Sequence, residues 1–159
     1  DCIRDVLLYL ESELEVDLTK HNFTKINLEQ LKDHFSCIYN EEDIWYTVYN
    51  LKEIRFIDGR INDGGSHKMM FCEIENITWN GHQFLNTIRP TSVWEATKSG
   101  ASKLGIMSVS ALSMISSEIR KSLLLKKRLV HSGLVYSAKP QKVNFIARIT
   151  ELNSKVKDV

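Results

Sequence analysis

An α+β fold is predicted for this chain of 159 residues, on three observations. Apolar residues recur at three- and four-residue spacing in several separate segments, as amphipathic helices require. One stretch near residues 70–75 instead alternates with a period of two, between glycine-rich turn signals. A 43% hydrophobic content with only seven Gly and two Pro excludes collagen-like, low-complexity and wholly disordered classes.

The first segment, Cys2 to Leu14, puts Ile3, Val6, Leu7, Leu10 and Leu14 on one helical face with acidic residues between. Val16 to Ile26 is polar and β-tolerant, and reads as a loop with one short strand. Asn27 then caps a short helix carrying Leu28, Leu31 and Phe35, with Gln30 placed to close a capping box. Asn40 starts the next helix. Glu41, Glu42 and Asp43 suit the positive end of its dipole, and Ile44, Val48 and Leu51 form a stripe that Trp45 and Tyr49 widen.

The period then changes. Ile54 to Ile57 reads as a short β segment and Asp58-Gly59 as a turn, with a second turn at Asn62-Asp63-Gly64-Gly65. Met70, Cys72 and Ile74 alternate with Phe71, Glu73 and Glu75, giving a half-buried strand with Cys72 inward. Thr78 can cap a helix holding Trp79, Phe84, Leu85 and Ile88, which Arg89-Pro90 stops. Gly81 permits close packing of that helix's first turn on the hairpin. Trp79, Phe84, Leu85 and Trp94 supply large apolar surfaces, each worth roughly 2–3 kcal/mol when buried.

Three helices, a hairpin with a glycine-rich tip and a further helix is the order of a winged helix-turn-helix domain, assigned to residues 1–98. Helix 40–53 occupies the recognition-helix position. Val93-Trp94 reads as an anchor, and 99–105, with two Gly and two Ser, as a hinge. Residues 106–130 form a long C-terminal amphipathic helix with Leu112, Ile115, Ile119 and Leu123 on one stripe and Lys126-Lys127-Arg128 at its end. Residues 131–159 are a partly helical tail.

The near-zero net charge hides a split. Residues 1–89 hold nine Lys/Arg and sixteen Asp/Glu, a balance of −7, whereas residues 90–159 hold twelve and four, a balance of +8. Such asymmetry bears on partner choice. No apolar run approaches the roughly 18 residues of a membrane span, so a soluble protein is expected. Cys2, Cys37 and Cys72 form no CxxC pair, and an odd count suits free thiols in a reducing compartment. Without a basic-then-apolar leader pattern, the cytoplasm is the expected location. The sequons at Asn22 and Asn76 are then chance matches.

Chemistry is sparse. His21, His34, Cys37, His67, Cys72, His82 and His131 are scattered, and only His34 with Cys37 has a local spacing that suits zinc or a Cys–His nucleophilic pair. No third orienting group accompanies that pair. Asp63-Gly64-Gly65 lacks the remainder of a phosphate loop. No enzyme activity, cofactor, metal or small-molecule substrate is expected.

The stretch Ile77-Thr78-Trp79-Asn80-Gly81-His82-Gln83-Phe84-Leu85-Asn86-Thr87-Ile88-Arg89, followed by Val93-Trp94, resembles the signature of a phage and prophage family, domain of unknown function 2513. The opening Asp1-Cys2-Ile3-Arg4-Asp5-Val6-Leu7-Leu8-Tyr9-Leu10-Glu11 resembles that family's first helix. The likeness covers roughly residues 1–125, and the tail departs from it. It implies a winged-helix scaffold carried by mobile genetic elements, acting in the cytoplasm of a bacterial host. It brings no catalytic residues.

Two functions compete. The favoured one is macromolecular binding through protein–protein interaction or self-association, with Leu112, Ile115, Ile119, Leu123, Lys126, Lys127 and Arg128 as the interaction helix. That basic helix complements the acidic domain and could pair between chains. The alternative is a DNA-binding regulator contacting DNA through Tyr46, Thr47, Asn50 and Lys52 on helix 40–53 and through Arg55, Arg60, His67 and Lys68 on or beside wing 58–68. Three carboxylates at the start of that helix argue against it. Membrane-surface binding by Leu123 to Arg128 is weaker still, because the polar face is serine-rich.

Overall fold

The computed structural model describes residues 1–14, 16–17, 22–62, 71–105 and 108–131; side chains at 16–17, 22–23, 62 and 127–131 lie outside that description. Within it are six helices and five strands: α1 (Cys2–Glu13), β1 (Val16–Asp17), β2 (Asn22–Phe23), β3 (Ile26–Asn27), α2 (Leu28–Phe35), α3 (Glu41–Glu53), β4 (Ile57–Asn62), β5 (Phe71–Ile77), α4 (Trp79–Ile88), α5 (Thr91–Leu104) and α6 (Val109–His131). The class is mixed α+β and mostly helical. β1 and β2 form a two-stranded ladder, and β3, β5 and β4 a three-stranded antiparallel sheet in that order.

Local chemistry explains the helix starts. Asn27 accepts from the Gln30 amide and Gln30 returns the bond, closing the expected capping box on α2. Asn40 accepts from the Asp43 amide at the start of α3. Thr78 accepts from the Gly81 amide at the start of α4. α3 ends differently: the Arg55 amide donates to Lys52 O and the Phe56 amide to Leu51 O, with Arg55 left-handed at φ 57°. This is a Schellman ending with arginine where glycine usually stands.

One compact unit runs from Asp1 to Ser122. Its core joins Val6, Leu7 and Leu10 of α1, Leu31 and Phe35 of α2, Ile44, Val48 and Leu51 of α3, Cys72, Ile74 and Ile77 of β5, and Phe84, Leu85 and Ile88 of α4. Cys72 is inward as expected, and burial pushes its thiol up to about 12. α5 adds Val93, Trp94, Thr97 and Ala101, and α6 adds Val109, Leu112 and Ile115. A second unit begins at Leu123, and its described part is the end of α6.

Several expectations are corrected. The 16–26 region holds three short strands rather than one. Residues 54–55 turn rather than extend, and β4 begins at Ile57. Asp58-Gly59 is a bulge inside β4, not a turn; a Cβ on Gly59 would lie 2.2 Å from Glu73 O, so the strands close up only around glycine. The 99–105 segment is no hinge as far as Leu104, because α5 continues through it and ends at Gly105, φ 65°. Burial of Thr97 and Ala101 outweighs its weak helix propensity. Trp79 is 76% exposed rather than clamped in the core. At about 100° per residue it points away from the Gly81, Phe84, Leu85 and Ile88 face. Tyr49, expected to widen the buried stripe of α3, is 37% exposed. The tip residues 63–70 and the tail beyond 131 lie outside the described residues.

Candidate interaction surface

The solvent side of α3 is built by its own period. Ile44, Thr47, Val48 and Leu51 point into the core, which leaves Glu42, Tyr46, Tyr49 and Glu53 on the outside at spacings of four, three and four. Tyr46 is 69% exposed. Thr47, expected as a surface contact, is instead buried; its spacing places it on the inward stripe, and its polar hydroxyl concealed that in the sequence. Asn50 is half-buried and donates to Tyr46 O at 2.6 Å.

The cations expected to meet phosphates are mostly occupied. Lys52 pairs with Asp58 at 2.6 Å, and Asp58 also accepts from the Gly59 amide. Lys52 and that amide together hold the Asp58 carboxyl below its usual range. Arg60 bonds Glu73, and Lys25 reaches Glu73 at 3.3 Å and Glu75 at 2.8 Å. Partial burial pushes the Glu73 carboxyl up, and the bonds from Arg60 and Lys25 outweigh it, so the group ends lower than usual. Two cations and two carboxylates thus cancel on the paired β4 and β5 strands. Arg55 is exposed and makes no ion pair among the described residues. At the front of α3, Lys32 takes up Glu41 at 2.5 Å, which leaves Glu42 and Asp43. His67 and Lys68 lie outside the described residues.

The helix expected to carry the interaction divides in two. Leu112 and Ile115 are buried on their own chain rather than offered to a partner, and Ile119 is half-buried. A Cβ on Gly100 would lie 3.3 Å from the Ile115 methyl, so the small residues of α5 let α6 approach. Arg120 donates to Asn86 O at 3.1 Å. Leu123, Leu124 and Leu125 are exposed by 40%, 52% and 60%, and Lys126 is exposed too. The Lys127 and Arg128 side chains lie outside the description.

Reactive constellations do not assemble among the described residues. The His34 ring stacks on Tyr9, centroids 4.1 Å apart, while Cys37 lies near Ser36, 3.9 Å from its hydroxyl. No group of three His, Cys, Asp or Glu there could hold a metal ion, and no described helix is long and apolar enough to cross a membrane.

A family model described as "Hypothetical protein (DUF2513)" matches residues 1–107. The chain belongs to the DUF2513 family. No curated protein and no solved structure matches it.

In this DUF2513 chain the 77–94 stretch holds the fold together. The Thr78 hydroxyl lies 2.7 Å from Arg55 O, and the Thr78 amide donates to Phe56 O at 3.0 Å. A Cβ on Gly81 would stand 2.0 Å from Phe56 O, so the first turn of α4 presses on the backbone just before β4. Arg89 reaches both Glu11 oxygens at 2.7 Å, and His82 Nδ1 stands 3.9 Å from the same carboxylate. Trp94 Nε1 and Lys98 Nζ both donate to Asp1 at 2.7 Å, tying α5 to the start of α1. The sequence did not single out Asp1, Glu11 or Arg4, because their partners are 78 to 97 residues away.

Proposed function

We propose that this DUF2513 chain is a non-enzymatic winged-helix protein of phage or prophage type that works by docking a protein on the outer face of α3. The order α1, β3, α2, α3, β4, β5 and the strand order β3-β5-β4 support the winged-helix reading. The docking reading is carried by one observation: α3 offers Glu42, Tyr46, Tyr49 and Glu53 to solvent, with no free cation among them. A helix read into a major groove presents Arg, Lys, Asn or Gln to base edges and cations to phosphates. Carboxylates there repel the polyanion, whereas exposed tyrosines flanked by acids suit a basic protein surface.

DNA binding stays as the second reading because Arg55 is exposed beside α3 and free of carboxylate partners among the described residues. A mobility-shift assay at low salt with random-sequence duplexes separates the two. The expected result is no retention. Tight, salt-sensitive retention that Arg55→Glu with Arg60→Glu abolishes would overturn the docking reading.

A further inference from the structure

Among the described residues, two exposed faces of this chain carry opposite chemistries. One is the Glu42, Tyr46, Tyr49, Glu53 stripe on α3. The other is the end of α6, where Leu123, Leu124 and Leu125 sit between Lys121, which also pairs with Glu118 at 2.7 Å, and Lys126, all five exposed. Three consecutive leucines spread over about 200° of a helix surface. Contiguous apolar area rimmed by charge marks a protein contact.

We propose that the leucine–lysine end of α6 docks on the α3 face of a second copy, reciprocally, so that two copies close into a two-fold dimer. The proposal rests on α3 being a docking surface and names its occupant. The charge split supports a second copy over a foreign partner. Residues 1–89 carry −7 and residues 90–159 carry +8, so each copy brings both poles, while the net charge of +1 leaves little repulsion between copies. Any other basic partner would compete with a basic, leucine-bearing helix that the chain supplies at equal concentration. The exchange sets Tyr46 and Tyr49 against leucine and the carboxylates against lysine.

Sedimentation of the full chain over a concentration series, at low and high salt, tests this. A dimer that salt weakens is expected. Tyr46→Ala should weaken it about thirtyfold. Glu42→Lys with Glu53→Lys should weaken it about tenfold, as should Lys121→Glu with Lys126→Glu in a separate chain. These positions are exposed, and far-UV circular dichroism with a melt verifies that each variant folds. Mixing the two charge-reversed chains should recover the tenfold of affinity that each loses alone, because each acidic face then meets a basic one in both contacts. A chain that stays monomeric, a dimer indifferent to these substitutions, or a mixture that fails to associate would each overturn the proposal. If the chain is monomeric but a captured host protein is released by Tyr46→Ala, this inference falls while the docking reading of α3 stands.

Discussion

Arg55 occupies the left-handed position that ends α3, where glycine would be free of strain and a residue with a Cβ is not. Its conformation is held from both sides, by the two helix-ending bonds and by the Thr78 hydroxyl on its carbonyl. Arg55→Gly should therefore raise stability by about 0.5–1 kcal/mol, read as a higher urea midpoint, with unfolded-chain entropy offsetting part of the gain. Glycines elsewhere behave oppositely. Gly81→Ala would drive a methyl to 2.0 Å from Phe56 O and 2.7 Å from the Ile77 methyl, and should cost about 2–3 kcal/mol in the same titration. Gly100→Ala meets only the Ile115 methyl at 3.3 Å and serves as the mild control. The close approach at Gly81 was legible from the sequence, since a glycine in the first turn of an aromatic-rich helix needs a packing reason. Arg55 was not, because nothing in Ile54-Arg55-Phe56 announces a positive φ.

Among the elements, legibility followed period and caps. Asn27, Asn40 and Thr78 marked three helix starts because each side chain meets a free amide three residues on. α5 was missed because Thr91, Ser92, Thr97, Ser99, Gly100 and Ser102 are weak helix formers; its stability comes from burying Val93, Trp94, Thr97 and Ala101, which propensity does not weigh. The ion network on β4 and β5 is not legible in the sequence, because register across the two strands decides that Arg60 faces Glu73. That network has a pH signature. The folded Glu73 carboxyl lies below its ordinary value of 4.5, so its contribution is fully present above that pH and is lost as pH falls through the lower folded value. Asp58, held down by Lys52 and the Gly59 amide, runs the same way from 3.8. The gap in urea midpoint between wild type and Glu73→Gln should therefore be widest near neutrality and narrow as pH falls below 4.5. A gap that does not change with pH would place the effect of the substitution in packing rather than charge.

At the scale of the molecule, the family match ends at residue 107 but the compact unit runs on to Ser122. The difference is the first half of α6. Val109, Leu112 and Ile115 are buried there, and Ser116 is fully buried with its hydroxyl on Ser113 O. Each large apolar side chain removed from water is worth roughly 1.5–3 kcal/mol, and the residues it covers on α5 would be re-exposed as well. Arg120 adds a bond to the carbonyl at Asn86, joining α6 to α4. A chain ending at residue 107 should therefore unfold several kcal/mol more easily than one ending at residue 122. Marginally stable domains hold only about 5–15 kcal/mol in total, so the shorter chain should lose much of its cooperative melt while the longer one keeps it. Calorimetry of the two truncations reads this directly. Equal melting temperatures would mean that α6 lies on the domain without stabilising it, and its first half would then be as free to leave for a second copy as its leucine end.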